Sequence, residues 1–353
     1  PTDVVRRALS GPLSTTHPWV AAQGLERAGT RRVARYHFRH ILFQQYLYAH
    51  LDPVQRAQSH QRVGTALEAL HAGEPDIAAR LAYHFEAAGM LEEAVTYLTQ
   101  AGAYAYRLSA PGEAVALYRR GLALLADLPA SSSRDHWELA LQMNLEGPLL
   151  VTQGWAAPAR VVALERAYAL AQQVQDVPRL LTTLYALSDL RTAEGKNRRA
   201  LARAEQLLSL AQQVEDRGYQ ALGYRMTGAS HFFLGHYREA RIHLERGLAC
   251  YAALRQGQDA PATEADLERA VFLWAWLPHV LLGLGYPEQA AARSQEALAC
   301  VRPDGPVHAQ AMMLTIAAVS FHAMARQPSR ALRDAEDLLA LATEHALVGF
   351  RGW

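Results

Sequence analysis

The sequence predicts an all-α protein, a right-handed αα-superhelix assembled from helix pairs that repeat about every 40 residues. The first observation is a turn residue followed five positions later by a second recurring position, as in Gly195…Ala200 and Gly235…Ala240. The second is the regular spacing of that second position, which falls at residues 160, 200, 240, 290 and 331. The third is apolar spacing of three and four residues between the turns, which is typical of amphipathic helices.

The first segment, residues 1–72, does not fit this repeat. Thr15-Thr16-His17-Pro18 predicts a loop, and 36–48 has the apolar spacing of an amphipathic helix. Asp52-Pro53 predicts the start of the next helix, because aspartate caps a helix N-terminus and proline suits its first position. We therefore expect a short helical segment that leads into the repeats.

The repeats begin at residue 73 and fall into two predicted regions, 73–130 and 131–353. The first region predicts three helices, with breaks at Gly89 and at Pro111-Gly112. The long step between residues 240 and 290 predicts an exposed insertion loop at 255–265, and the apolar Trp353 predicts a further helix pair beyond it. The second region predicts five helix pairs, at 134–153 with 156–175, 178–194 with 197–215, 217–234 with 237–254, 266–284 with 287–301, and 306–325 with 328–345.

Charge and cysteine content exclude several classes of partner and compartment. The chain has 35 Lys and Arg against 34 Asp and Glu, which argues against nucleic acid or an anionic membrane as the main partner. Two cysteines, Cys250 and Cys300, exclude a disulfide framework and favour a reducing, cytoplasmic compartment. The most apolar run, 270–284, contains Pro278 and is too short to span a bilayer, so we interpret it as a core helix.

Within a helix pair the residues resemble the tetratricopeptide repeat (TPR). Gly228, His231, Gly235, Ala240 and Leu244 fall where that family has a small residue, an aromatic, a turn glycine, an alanine and a large apolar residue. The period is near 40 rather than about 34, which lengthens each helix by nearly one turn. The resemblance implies an αα-solenoid with an inner groove, and it does not identify a ligand.

A second resemblance covers the whole chain. The run Tyr36-His37-Phe38-Arg39-His40 and the residues after it resemble the segment that joins a winged helix to a TPR-like array in bacterial STAND-type signalling ATPases. The segment 79–89 resembles the first repeat of such an array, and 284–290 resembles a later turn. The chain contains no GxxxxGK[ST] motif, so the resemblance implies a non-catalytic region whose ATPase domain lies elsewhere.

The STAND resemblance also assigns roles in the full-length protein. It implies that His40 lies near the phosphates of ATP or ADP bound to the ATPase domain, with a weaker assignment for Arg39, whose planar fork suits phosphate. It implies an intramolecular contact with that domain, while no cofactor is expected in this chain. The alternative for His40 is a histidine that caps or packs on the helix it begins.

The TPR frame predicts which positions face the inner groove. These positions mix polar and aromatic side chains, which suits a protein or peptide partner or a small-molecule effector. The alternative is that single members of the set are only solvated. The predicted groove positions are Gln142, Thr152, Gln153, Thr182, Tyr185, Asp189, Arg225, Phe232, Phe233, Phe272, His279, Met313 and Ser320.

Other residue clusters predict neither catalysis nor a metal site. His231, His236 and His243 are close in sequence, but no Asp, Glu or Cys completes a plausible ligand set, so we interpret them as framework and surface histidines. Cys250 and Cys300 occupy the same repeat position and are interpreted as small apolar residues. No nucleophile has an evident base, so no catalytic residue is predicted.

Three functional hypotheses follow. The first is the sensor and scaffold region of a cytoplasmic, bacterial STAND-type transcriptional or signalling regulator, which binds an effector or partner in its groove and controls the ATPase. The second is a free-standing TPR adaptor that mediates protein–protein interaction without nucleotide coupling. The third, an enzyme built on the solenoid, finds no support in the residues.

Overall fold

The computed structural model describes residues 19–28, 31–71, 73–256, 264–300 and 307–345, together with residues 7 and 347. Helices dominate these residues, which confirms the predicted all-α class. The chain divides into two compact units, the first ending at Leu170 and the second starting at Ala171. The domain limits drawn from the sequence, 1–72, 73–130 and 131–353, remain predictions.

From residue 19 onward, the described part of the first unit begins with a β-hairpin that the sequence analysis did not predict. Strand β1 (Val20–Ala28) pairs antiparallel with β2 (Arg31–Phe38), and helix α1 (Ile41–His50) follows. The prediction of a helix over 36–48 is therefore wrong for its first residues. In 35–38, polar and aromatic residues alternate with the two-residue period of a strand, and pairing with β1 satisfies the backbone there.

Seven further helices complete the described part of the first unit. Asp52 caps α2 as predicted: its carboxylate accepts the amide N–H of Gln55 at 2.8 Å, and Pro53 is the first helical residue. The helices are α2 (Pro53–Leu70), α3 (Ala78–Ala87), α4 (Leu91–Arg107), α5 (Pro111–Ala126), α6 (Ser132–Asn144), α7 (Glu146–Gln153) and α8 (Pro158–Gln173), the last of which crosses into the second unit.

The single helix predicted over 134–153 is two helices, α6 and α7, that meet at Leu145. Pro148 explains the break, because it has no amide N–H and its ring conflicts with the carbonyl four residues earlier. The core of this part of the unit contains Leu141, Leu145 and Leu149, each at most 4% exposed. The break therefore interrupts the helix without opening the apolar core.

The second unit consists of helix pairs that match the predicted limits within about two residues. Asp176 and Asp216 cap the first helices of two pairs and accept the amide N–H of Arg179 at 3.0 Å and of Tyr219 at 2.9 Å. The elements are α9 (Val177–Ala193), α10 (Asn197–Gln213), α11 (Arg217–Phe233), α12 (Tyr237–Arg255), α13 (Glu264–Gly283), α14 (Pro287–Ala299), α15 (Val307–Met313), a π-helical segment (Leu314–Ser320), α16 (Phe321–Met324) and α17 (Pro328–Glu344).

The turns within these pairs need a left-handed backbone. Gly195, Gly235 and Gly285 have φ of 71°, 79° and 83°, and each follows the first helix of a pair. Arg326 holds the equivalent place in the last pair with φ of 59°. The predicted turn positions therefore share one backbone conformation, which explains why glycine recurs there.

Within the second unit, successive first helices contact one another directly: α9 contacts α11, α11 contacts α13, and α13 contacts the π-helical segment. Among the described residues, successive second helices such as α10 and α12 make far fewer contacts. The unit therefore curves with its first helices on the inner side. We call the exposed side of these first helices the inner face.

Two sequence predictions fall wholly or partly outside the described residues. The insertion loop predicted at 255–265 includes residues 257–263, and the apolar C-terminus includes residues 348–353. In the part of the chain that the structure describes, no helix combines the length and hydropathy needed to cross a membrane.

Candidate functional site

The inner face begins with a polar region on α9 and α11. Arg225 is 3% exposed, donates from Nη2 to the hydroxyl of Tyr185 at 2.5 Å, and lies over the Tyr185 ring at 5.1 Å from its centroid. Beside this pair, the hydroxyls of Thr182 and Tyr219 are 2.7 Å apart. Both contacts join neighbouring first helices, so this region is a fixed set of hydrogen bonds with half-buried aromatic edges.

An aromatic region follows on α11 and α13. The ring centroids of Phe232 and Trp276 are 5.3 Å apart, and those of Phe233 and Trp276 are 5.1 Å apart in an edge-to-face arrangement. Phe233 remains 43% exposed, and Trp276 is half-buried. Aromatic side chains held rigidly and left partly exposed are typical anchors at protein interfaces.

His279 lies behind these rings and is almost fully buried, with 1% exposure. Its Nδ1 lies 3.1 Å from the carbonyl oxygen of Ala275, and its Nε2 lies 3.3 Å from the hydroxyl of Ser320 at the end of the π-helical segment. Burial lowers the pKa of His279 to about 4, because the charged form loses hydration there. The imidazole is therefore neutral near pH 7. We call Phe232, Phe233, Trp276, His279 and Ser320 the aromatic end of the inner face.

The structure brings only part of the predicted groove set together. Asp189 is half-buried one helical turn after Tyr185. The predicted positions that contribute to the contacts above are Thr182, Tyr185, Arg225, Phe232, Phe233, His279 and Ser320. Met313 is 1% exposed and belongs to the core, because it packs with Ala297 and Ala309. Phe272 lies on α13, but its side chain is outside the described residues.

Three predicted groove residues belong to the first unit. Gln142 is half-buried on α6, while Thr152 and Gln153 are exposed at the end of α7. No described contact joins these residues into a cluster like the one in the second unit. Their assignment to a groove remains a prediction.

Three contributors to the inner face, Trp276, Tyr219 and Phe321, are absent from the predicted groove positions. Tyr219 contacts Thr182, which lies 37 residues earlier, and the Phe321 ring packs on His279 at 5.9 Å. The near-40 spacing was a usable signal for Tyr219. For Phe321 no such signal existed. Phe321 follows the π-helical segment, which changes the direction in which later side chains point relative to a regular α-helix.

His40 and Arg39 stand at the start of α1. The Nδ1 of His40 accepts the amide N–H of Leu42 at 3.2 Å, which makes His40 the N-cap of this helix. The Arg39 amide N–H donates to the carbonyl of Trp19 at 2.8 Å, and its side chain is exposed. The capping alternative is therefore an observed contact, while the nucleotide assignment remains a prediction.

The three neighbouring histidines do come together. His231 and His236 have their Nδ1 atoms 3.3 Å apart, and the rings of His231 and His243 stack at 5.4 Å. Burial lowers the pKa of His231 and of His243. Across the described residues, no group of three or more His, Cys, Asp or Glu has an arrangement suited to a metal ion.

Both cysteines are half-buried thiols. Burial raises the pKa of Cys250 and of Cys300, which lowers the fraction of reactive thiolate near pH 7. Their environment therefore agrees with the interpretation as small apolar residues.

A second concave feature lies in the first unit, between the end of α2 and the side of α4. It is a cleft of about 460 Å³ whose polar wall includes Glu68, His71, Glu74, Tyr97 and Arg107. Tyr97 donates to the Glu68 carboxylate, and burial followed by this hydrogen bond raises the pKa of Tyr97 to about 12. Its polar groups largely satisfy each other, since His71 also pairs with Glu74 at 2.7 Å.

No protein-family model matches the chain. Over 225 residues the chain is 29% identical to an uncharacterized protein of Rhizobium meliloti (strain 1021). That match covers 61% of the chain but 21% of the relative, so the chain spans about a fifth of the relative's length.

Solved structures share the fold at low sequence identity. The apo form of RapI is similar with a TM-score of 0.56 at 12% identity, covering 87% of this chain and 81% of that one. A STAND protein with a tetratricopeptide repeat sensor from Pyrococcus horikoshii is similar with a TM-score of 0.51 at 11% identity, covering 84% of this chain and 46% of that one. These likenesses confirm the predicted TPR-like αα-solenoid.

Proposed function

We propose that the chain is a non-catalytic binding region that holds a protein or peptide segment against the inner face of its second unit. The observation that carries this proposal is the row of contacting polar and aromatic side chains that runs from Tyr185 on α9 to Ser320 on the π-helical segment, several of which remain partly exposed. Four successive first helices contribute to this row. An elongated ligand can contact all of them, which favours a peptide over a small-molecule effector.

The chemistry of the inner face supports binding rather than turnover. The pair of Ser320 and His279 resembles a nucleophile with its base, but a general base works best with a pKa near the working pH. A histidine with a pKa of about 4 removes a proton poorly at pH 7. Rigid aromatic rings next to polar groups are instead what an interface hot spot contains.

The proposal extends to the context of the chain. We place it in a cytoplasmic STAND-type regulator, where the bound segment controls an ATPase domain that carries ATP or ADP and contacts His40 and Arg39. The resemblance of 36–40 to the joining segment and the fold likeness to a STAND sensor support this context. The second candidate is a free-standing adaptor, which the same inner face would also serve.

A random dodecapeptide library displayed on phage tests the binding surface directly. Peptides selected on the wild-type chain should bind Tyr185→Ala and Phe233→Ala at least tenfold more weakly, because each change removes part of an aromatic anchor. Tyr83→Ala is the matched control, since Tyr83 is 53% exposed on α3 of the first unit. A library without binders, or binders that ignore all three changes, would contradict the proposal.

The STAND context requires the full-length protein. Adding a selected peptide should change its rate of ATP hydrolysis at least twofold, because the peptide would shift the balance between two states of the ATPase. An unchanged rate with undiminished binding would favour the adaptor.

A further inference from the structure

We propose that Ser320 is a fixed hydrogen-bond acceptor and that the aromatic end of the inner face binds the indole of a tryptophan in the partner. This inference rests on the proposed function and specifies the residue that the aromatic end selects.

The contacts of His279 fix its tautomer. The carbonyl oxygen of Ala275 only accepts hydrogen bonds, so Nδ1 of His279, 3.1 Å away, must carry the proton. The ring is buried and its low pKa keeps it neutral at pH 7, so Nε2 has a lone pair and no hydrogen. His279 therefore offers Ser320 only an acceptor.

The serine hydroxyl has one hydrogen, and His279 takes it. Nε2 and the Ser320 Oγ are 3.3 Å apart, so the hydroxyl donates to the imidazole. Helical hydroxyls commonly donate to a carbonyl four residues earlier, as Thr315 does to Ala311 at 2.7 Å, whereas the contact of Ser320 crosses to another helix. Because Ser320 is exposed, the remaining lone pairs of its oxygen are open to a ligand and accept from an N–H or O–H.

The surroundings of this acceptor select the kind of donor. Phe232 and Trp276 pack on the His279 ring, with centroids 5.9 and 5.3 Å away, and Phe233 packs on Trp276. This apolar group of rings therefore adjoins the imidazole that Ser320 contacts. Indole combines a flat apolar body that stacks on such rings with a single N–H donor and no acceptor. A lysine would bring three donors and a charge to a set of side chains that carries no charge. The tryptophan indole therefore matches this end best.

Synthetic peptides test the hydrogen bond itself. The probe is a dodecapeptide selected on the wild-type chain that contains tryptophan, compared with the same peptide carrying β-(3-benzothienyl)alanine, where sulfur replaces the indole N–H. Titration calorimetry measures Kd for both peptides on the wild type and on Ser320→Ala. Removing the N–H should weaken binding to the wild type about fivefold, since one neutral hydrogen bond is lost.

The double-mutant cycle separates a direct contact from a structural effect. On Ser320→Ala the two peptides should bind equally, because the acceptor is already gone. Thr192→Val removes a hydroxyl from α9, outside the aromatic end, and should preserve the fivefold difference. A melting temperature within a degree or two of the wild type would show that Ser320→Ala still folds.

The possible failures are distinct. Selected peptides without enriched tryptophan, or a loss on sulfur replacement that is equal in the wild type and Ser320→Ala, would overturn this inference and leave the proposed function standing. Enrichment of lysine would replace indole with a cation as the selected group. A library without binders would overturn the proposed function and this inference together.

Discussion

Arg160 in the first unit and His279 in the second are both basic side chains with 1% exposure, but each unit accommodates its buried base differently. Arg160 keeps its charge and receives a counter-charge, because it donates to the carboxylate of Glu146 and to the carbonyl of Trp155. His279 is buried in its neutral form, and its ring nitrogens contact two neutral groups, the carbonyl of Ala275 and the hydroxyl of Ser320. Burying a base therefore requires either a paired anion or a pKa low enough to remove the charge.

Comparison with other repeats shows that the pairing of Arg160 with Glu146 does not recur at the equivalent alanine positions. Arg160 occupies the recurring position that is alanine at 200, 240 and 290, and each of those alanines is 0% exposed. Glu146 lies 14 residues before Arg160, and the residue 14 before Ala240 is the apolar Met226, 2% exposed. These four positions are buried, and the one that holds a charged residue, Arg160, has an acidic residue 14 positions before it.

The largest expected effect comes from moving the arginine to another repeat. Ala240→Arg should lower the free energy of unfolding by more than about 3 kcal/mol, because it adds volume and an unpaired charge to a closed site. Urea denaturation followed by circular dichroism measures this. Ala249→Arg, at an exposed site on the same helix, should stay within about 0.5 kcal/mol.

A compensating substitution tests whether the missing carboxylate causes this loss of stability. Adding Met226→Glu to Ala240→Arg reproduces the arrangement of the first unit and should recover part of the loss. If Ala240→Arg unfolds at the wild-type urea concentration, the recurring position is not the tight site that its burial indicates.

Removing the counter-charge in the first unit should have the next largest effect. Glu146→Gln leaves Arg160 buried without an anion and should cost about 2 kcal/mol, less than for a fully buried pair because the Glu146 side chain is 29% exposed. Glu138→Gln is the control: its partner Arg166 is 46% exposed, so the cost should be under about 1 kcal/mol. Equal midpoints in urea for the two variants would contradict the comparison.

The pH dependence should give a similar or smaller effect, from His279. Its pKa falls from 6.5 to about 4 on folding, so the unfolded chain binds a proton between these values and the folded chain does not. Stability should therefore fall as pH falls below 6.5, by about 2 kcal/mol at pH 5 from this residue. The lowered pKa values of His84, His231 and His243 act in the same direction.

Two variants test whether His279 causes this pH dependence of stability. His279→Phe should make the thermal midpoint less dependent on pH between 7.5 and 5, and His345→Gln, at an exposed position, should leave the dependence as it is. The loss in Glu146→Gln should stay constant across this range, because arginine remains charged throughout. A slope that survives His279→Phe would show that the other histidines cause it.

Local signals predicted the helix pairs, while long-range pairing was missed. The pair predicted at 217–234 and 237–254 is found at Arg217–Phe233 and Tyr237–Arg255. Its limits were predictable because Asp216 caps the first helix and Gly235 forms the turn, and both residues lie next to the helices that they delimit. Strand β2 depends on pairing with β1, which helical spacing over 36–48 does not reveal. Hydrogen bonds between distant residues outweighed that local pattern.

The inner face shows the same division. The repeat frame predicted Tyr185 and Arg225 as groove positions, and the structure joins these two residues across 40 positions. It did not predict that Met313 would be buried, nor that Phe321 would pack on His279. Met313 and Phe321 flank the π-helical segment, and no local sequence motif in 314–320 predicts that segment.

That segment also determines how the chain tolerates changes in length. A π-helix contains an extra residue relative to an α-helix, so losing one residue from 314–320 could restore regular α-helical hydrogen bonding at little cost to the backbone. The same deletion would rotate one side of the helix by about 100° relative to the other, and Ser320 would no longer meet His279. A protein could therefore exchange the groups that it presents at this end by a single-codon deletion, without replacing any side chain.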